Sequence, residues 1–389
     1  MKLALCLEYP IRLRGGVSVL VEILLRELTR HGHEVVLVSP DDPAGLRKSE
    51  AESLIREHFH WEPRHRPSLA NAKKLARQLA EARVALAHFH AGGNYGWGNR
   101  FPWHCPAFFL DGFGIPCVST VHSVTSILTG YCGDLKPTWF KALLLPLGWG
   151  GKMHQLRHVR REIAVSRHDL QNLRRWYRPF RDRFVQIYHS RLYRDAAPIA
   201  TGKREPLILN VGHIANRRKG QVVLAKAFAA IAARHPEWKL AFAGHDCGDG
   251  SVEQIRQVAA AGRLGDRISL LGQRDDVMKL MTGAAIYVQP SFEEALGMAL
   301  QEAMFCGCAC VGSRVGGIPE LIQDHHLGLL VEPGSVPQLS EALEQLIRDE
   351  SRRATLGRAA AASISERGMT VEAMVKQHFE LYETIVAGK

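Results

Sequence analysis

Short apolar runs alternate along this chain with longer stretches in which apolar residues recur every three or four positions. The run KLALCL over 2–7 is almost wholly apolar and predicts a buried strand. A loop over 8–14 and a turn at Gly15–Gly16 follow. Val17, Leu20, Val21, Leu24, Leu25 and Leu28 then share one face of a helix predicted over 17–31. Further strands are predicted at 33–39, 84–90, 117–122, 162–165 and 184–188. A second set begins with a strand at 206–212 and a helix over 219–234. It continues with strand 239–243, helix 252–261, strands 267–271 and 285–289, a helix around Glu302, strand 309–312 and helix 336–349. The last helix is predicted over 371–386. Such alternation argues for an α/β protein with parallel sheets covered by helices on both faces.

The segment 199–205 has weak periodicity and reads as a linker, and 389 residues favour two domains. They are placed at 1–198 and 205–366. Composition adds little, since 46% hydrophobic and 23% charged residues are ordinary for a globular chain. No apolar run reaches the ~18 residues of a membrane-spanning helix. The N-terminus meets Glu8 after a short apolar run and carries no cleavage pattern, so the expected location is the cytoplasm. Eight cysteines contain no C-x-x-C pair, which fits a reducing compartment. Cys306, Cys308 and Cys310 alternate around a strand start and read as small apolar fillers; no metal site is expected.

Charge changes the picture. The formal net charge is +11, but residues 1–200 hold 29 Lys and Arg against 17 Asp and Glu, while the remainder holds 21 against 22. The excess concentrates in 152–194, behind the apolar run WFKALLLPLGW. An apolar, tryptophan-bounded run beside arginines suits an anionic membrane surface. The stretch from Trp139 to Arg194 is therefore the expected contact with such a surface, making the protein peripheral on the inner face of a membrane. A solvated basic surface over a buried helix explains the same pattern. No nucleic-acid motif is present, and nucleic acid is not expected as a partner.

The chemistry concentrates in PSFEEALGMALQEAMFCGCACVGSRVGGIPE, residues 290–320. Glu294 and Glu302 are separated by seven residues, and Gly297 lies between them where a helical pattern starts. A helix N-terminus opened by glycine offers free N–H groups to anionic or hydroxyl-rich ligands. Glu302 lies further in, and a carboxylate can accept two hydroxyl hydrogen bonds. A surface helix with two solvated acids would share this spacing. A second basic segment, NVGHIANRRKG over 210–220, supplies Arg217, Arg218 and Lys219 ahead of a helix. Ligands of doubly wound sheets bind beyond the carboxyl ends of the strands, which groups Gly16, His122, Gly212, Lys219 and Glu294 near one cleft.

The stretch 290–320 resembles the family 4 retaining glycosyltransferases of GT-B fold. Pro290, Ser291, Glu294, Gly297, Glu302, Ala303 and Gly307 match the family's Glu-x(7)-Glu signature, and Gly316, Gly317, Pro319 and Glu320 match the G-G-x-P-E that follows. The resemblance implies two Rossmann-like domains facing a central cleft, with the C-terminal helix, 370–387, packing back on the first. The first domain would hold the acceptor, and the second the nucleotide sugar. It further implies that Lys219 and Arg218 bind the diphosphate beside Gly212, that Glu302 binds the ribose, and that Glu294 sits by the donor sugar. The backbone at Ala295, Leu296, Gly297 and Met298 would contact sugar hydroxyls. Gly16 would let the first domain's backbone approach the diphosphate, and His122, in a T-V-H match, would lie near donor sugar and acceptor.

Two departures stand out. His213 occupies the place of a family arginine, exchanging a permanent forked charge for an imidazole. Ala295 and Leu296 replace Gly-Phe. The implied activity is retaining transfer of a hexose from a nucleoside-diphosphate sugar, of UDP or GDP type, to a hydroxyl of a glycan or lipid-linked acceptor, with no cofactor or metal. His122, Lys219 and Glu294 are the expected catalytic group. A non-catalytic nucleotide-sugar-binding subunit and a sugar-nucleotide epimerase of the same fold remain open as alternatives.

Overall fold

A computed structural model of the chain describes residues 1–11, 16–46, 50–61, 68–91, 105–122, 138–193 and 204–388. It divides into two compact units, one formed by Met1–Arg191 with Val371–Lys389, the other by Leu192–Thr370.

The first unit is built on a seven-stranded sheet. Its strands are β1 (Lys2–Leu7), β2 (Glu34–Ser39), β3 (Glu57–His60), β4 (Leu86–Ala91), β5 (Cys117–Val121), β6 (Arg161–Ala164) and β7 (Phe184–Gln186). They lie in the order β3-β2-β1-β4-β5-β6-β7, and every pairing is parallel. Helices cover such sheets on both faces, so the central strands are apolar without alternation. Ala4, Cys6, Val36, Val38, Phe89 and Cys117 are buried against Leu75, Leu79 and Leu110.

The second unit holds β8 (Glu205–Val211), β9 (Lys239–Ala243), β10 (Ile268–Leu270), β11 (Ala284–Gln289), β12 (Ala309–Ser313) and β13 (Leu329–Val331). Their order is β10-β9-β8-β11-β12-β13, again wholly parallel. Ile208, Phe242, Ile286 and Val311 are buried with Phe228, Leu343 and Leu356.

Two differences from the pattern-based expectation have local causes. The helix expected over 219–234 is broken into Asn216–Lys219, Gln221–Ile231 and a 3-10 turn, Ala232–Arg234. Gly220 makes the break at φ +67°, where a Cβ would stand 2.0 Å from the Pro290 carbonyl oxygen. Glu205, expected in the linker, is the first residue of β8. The Arg204 guanidinium before it is anchored, donating to the carbonyls of Met281 (3.1 Å) and Ala284 (2.8 Å). The rest of that segment, 199–203, lies outside the described residues, as does Gly15. The edge strand β3 and the helices Leu69–Glu81 and Glu350–Glu366 were not singled out by periodicity.

The C-terminal helix Val371–Val386 packs within the first unit. Tyr382 Oη lies 2.6 Å from His88 Nδ1, and the Ser190 amide donates to Met374 Sδ at 3.4 Å.

Candidate functional site

The loop after β11 carries a polar network. The strand ends at Gln289, Pro290 and Ser291 follow, and the helix Met298–Phe305 begins after Gly297 (φ +95°). Glu294 stands in this loop. Its Oε2 lies 2.8 Å from Lys219 Nζ and also accepts from Gln289 Nε2 (3.1 Å) and Ser291 Oγ (3.1 Å). The pair is shielded, with the Lys219 side chain 24% and the Glu294 side chain 13% exposed. The backbone joins the two segments as well, since the amides of Phe292 (2.8 Å) and Glu293 (3.2 Å) donate to the Arg218 carbonyl.

Gly316 closes the loop from the other side. Its φ is +52°, and a Cβ there would fall 1.6 Å from the Glu294 carbonyl oxygen. The G-G-x-P-E segment is thus in backbone contact with the acid it follows in sequence by some twenty residues, and the Gly317 amide donates to that same carbonyl at 3.3 Å.

The remaining predicted donor residues gather around this loop to different degrees. Glu302 lies in the helix Met298–Phe305 and is 3% exposed. Ala295 and Leu296 are buried, and Met298 is the first helical residue. Gly212 follows β8 with its amide donating to Ala243 O at 2.9 Å. His213 directs its carbonyl to Gln221 Nε2 at 2.9 Å. Its imidazole pKa is lowered, first by desolvation and then by the charges of Lys219 and His245, so the ring is neutral at pH 7. Arg218 Nε lies 3.9 Å from Glu293 Oε2. The side chain of Arg217 lies outside the described residues.

Two residues of this network have no counterpart in the motif. Gln289 and Tyr287 are both buried on β11, and the Tyr287 hydroxyl donates to Gln289 Oε1 at 2.7 Å. Burial, then the Glu302 charge, raises the Tyr287 pKa well above its ordinary value, so the hydroxyl remains a donor. The signal was present in the sequence as polar Tyr-x-Gln positions at the carboxyl end of an otherwise apolar strand.

Gly16 and His122 belong to the first unit. Gly16 is the exposed first residue of the helix Gly16–Arg30. His122 directly follows β5, its amide donating to Ala91 O at 3.0 Å. It is not a lone histidine. His122 Nε2 lies 3.0 Å from His90 Nδ1, and the His189 ring centroid is 4.8 Å away. The His88 ring lies tilted beside His90 at 4.0 Å, and His88 also contacts Thr120 Oγ1 at 2.7 Å. His378 of the C-terminal helix completes the group, 5.8 Å from His88 and 6.4 Å from His189. Burial is the largest cause lowering the pKa of all five. His189, just after β7, is part of this cluster. The register pairs His90 with Thr120, which carries His122 to the position beyond it; an i, i+2 histidine pair on β4 facing a histidine after β5 was the readable clue.

The basic stretch is only partly a surface. Lys152 is not a surface charge: its Nζ lies 2.5 Å from Glu162 Oε2, and the two side chains are 2% and 0% exposed. Arg183 turns inward and donates to Arg157 O and Val159 O, each at 2.9 Å. Arg157, Arg160, Arg167, Arg174, Arg175, Arg178 and Arg181 stay exposed. Trp149 and Trp176 are exposed beside them, the Trp149 indole donating to Trp176 O at 3.1 Å. Side chains over 138–145 and residue 194 lie outside the described residues. Among the described residues no helix is long and apolar enough to cross a membrane, and no group of three or more His, Cys, Asp or Glu is placed to hold a metal ion.

Comparison with known proteins bears on this arrangement. Residues 14–190 match the family described as Glycosyltransferase Family 4, and residues 194–363 match Glycosyl transferases group 1. The N-acetyl-alpha-D-glucosaminyl L-malate synthase of Bacillus anthracis is 26% identical, over 96% of this chain and 94% of its own. The phosphatidyl-myo-inositol mannosyltransferase of Mycobacterium tuberculosis is 27% identical, over 99% and 97%. In architecture the chain is similar to Anabaena HepE, solved in complex with UDP, with a TM-score of 0.77 at 19% identity, covering 99% of this chain and 100% of that one. A glycosyltransferase from Rickettsia africae superposes equally well, with a TM-score of 0.77 at 19% identity over 99% and 98% of the two chains.

Proposed function

Because this chain is a glycosyltransferase of GT-B fold related to the group 1 and family 4 enzymes, we propose that it transfers a hexose, with retention, from a nucleoside-diphosphate sugar to an acceptor hydroxyl in glycan biosynthesis. UDP is the favoured base, since HepE binds it in the same architecture. The observation that carries this reading is the 2.8 Å contact between Lys219 Nζ and Glu294 Oε2 inside the loop braced by Gly316.

The chemistry follows from where charge develops. The bond from the anomeric carbon to the β-phosphate oxygen breaks, and the bond to the acceptor oxygen forms on the same face. The acceptor proton passes to the departing phosphate oxygen. Negative charge grows on the diphosphate, so a fixed cation there lowers the barrier. Lys219 supplies it, with Arg218 adjacent; His213, being neutral, contributes a hydrogen bond. Glu294 holds donor-sugar hydroxyls, Glu302 the ribose hydroxyls, and the backbone of 295–298 further sugar contacts. Gly16 is assigned to the diphosphate, and His122 to the donor sugar and acceptor. His122 is a neutral positioning group in this scheme, because its Nε2 already faces His90.

The acceptor is proposed to be lipid-linked or anionic, reached at a membrane surface through Trp149, Trp176 and the exposed arginines around them. Each basic residue near anionic lipid is worth ~1 kcal/mol. Co-sedimentation with phosphatidylglycerol vesicles at low salt, lost at high salt, is the expected outcome; absence of binding at low salt excludes this surface.

Retention can be tested without the acceptor. Slow hydrolysis of UDP-glucose or another UDP-α-hexose, followed by proton NMR, should release the α-anomer before mutarotation. Release of the β-anomer first overturns the retaining assignment. Consumption of donor to a different nucleotide sugar would mark an epimerase.

A further inference from the structure

We propose that Gln289 is the positioning residue for the Glu294 carboxylate, and that Tyr287 fixes the orientation in which it works. This deepens the nucleotide-sugar reading above and rests on it.

The geometry is one-sided. All three donors to Glu294, from Lys219, Gln289 and Ser291, converge on Oε2, while Oε1 takes none of them. One carboxylate oxygen is therefore held by the protein and the other is left for a hydroxyl donor. Of the three donors only Lys219 is charged, and it is also the group assigned to the diphosphate. When its ammonium turns toward a diphosphate, Gln289 and Ser291 still hold Oε2. A neutral donor suits this task, since a cation at 289 would compete for the anion and a carboxylate would repel Glu294.

A glutamine holds Glu294 only if its amide presents nitrogen rather than oxygen. Tyr287 decides that. It lies two residues earlier on β11, hence on the same face of the strand. Its hydroxyl reaches two acceptors, Gln289 Oε1 at 2.7 Å and the Val211 carbonyl at 3.4 Å; the shorter contact takes the proton, and the amide nitrogen is left to face Ser291 Oγ (2.9 Å) and Glu294 Oε2 (3.1 Å). The reversed amide would set an oxygen against the carboxylate. Gln289 is 2% exposed and Tyr287 fully buried, so water cannot substitute freely for either. The relay runs Tyr287, Gln289, Glu294, with Ser291 bridging the last two.

The test separates the sugar from its nucleotide. Isothermal titration is run with UDP, UDP-glucose, UDP-N-acetylglucosamine, GDP and GDP-mannose, and the sugar that adds most affinity over its bare nucleotide is the probe. In Gln289→Leu, affinity for the bare nucleotide should stay within about twofold, while the sugar's added affinity falls about tenfold, the loss of one hydrogen bond to a charged group. Tyr287→Phe should lower the sugar's added affinity by a few-fold, again sparing the nucleotide. Gln289→Glu supplies a readout that a packing role would not move. At pH 8 the introduced carboxylate repels Glu294 and the sugar's contribution is lost; toward pH 5.5 it protonates, donates an O–H, and sugar binding recovers. Wild type should lack that recovery. Equal losses for nucleotide and nucleotide sugar, no loss in either Gln289 variant, or a Gln289→Glu profile that parallels wild type overturns the proposal. A wild-type protein that binds no nucleotide sugar is a different result, and refutes the functional reading itself.

Discussion

Acidification should unfold the first unit well before carboxylates begin to protonate, and the cause is its buried histidine cluster. His378 is the member whose shift is quantified: burial pushes its pKa from the ordinary 6.5 down to about 4. In the unfolded chain the same ring protonates near 6.5, so below that pH the unfolded state binds a proton that the folded state excludes. Stability is therefore full above pH 6.5 and falls as the pH drops toward 4. The slope is ~1.4 kcal/mol per pH unit per group, which gives about 2 kcal/mol lost by pH 5 from His378 alone and about 3 kcal/mol by pH 4. His88, His90, His122 and His189 are shifted in the same direction, each chiefly by burial, so the measured loss should exceed the single-group figure. Urea unfolding between pH 7.5 and 5.0, followed by far-UV circular dichroism, reads this directly. Replacing His378 by Phe should reduce the pH slope by about one proton. Unchanged stability between pH 7.5 and 5.0, or a slope indifferent to His378→Phe, would falsify the reasoning.

Two further perturbations test other parts of the account. Glu162→Gln strands Lys152 as a buried charge without its counterion, and should cost ~3–5 kcal/mol in the first unit, read as a lower urea midpoint. Gly316→Ala places a Cβ in the Glu294 carbonyl at a left-handed φ; it should abolish nucleotide-sugar binding and lower the melting temperature, whereas unchanged donor affinity would dissociate Gly316 from the site.

Most of the architecture was legible because parallel strands covered on both faces are largely apolar. Lys2–Leu7, Lys239–Ala243 and the helix Val371–Val386 coincide with their predicted limits. What stayed hidden depended on contacts across the fold. Gly220 looked like an ordinary helical position until the Pro290 carbonyl was found against it. Lys152 counted toward the basic surface until Glu162, ten residues away, neutralised it inside the core. The Glu-x(7)-Glu motif located the loop, but not the pairing of Glu294 with Lys219, nor the strand residues Tyr287 and Gln289 behind it. His122 was singled out by its motif, whereas its four histidine neighbours come from β4, the segment after β7 and the C-terminal helix, brought together by the β4–β5 register and by packing of that helix.

Lys219 and the Glu294 loop are proposed to form the nucleotide-sugar site, and titration of UDP and GDP into wild type and Lys219→Ala tests this. Wild type should bind one nucleotide saturably, and the variant about tenfold or more weakly, through loss of a charge-assisted contact to the diphosphate. Wild type without affinity for either nucleotide, or binding that Lys219→Ala leaves unchanged, would contradict it.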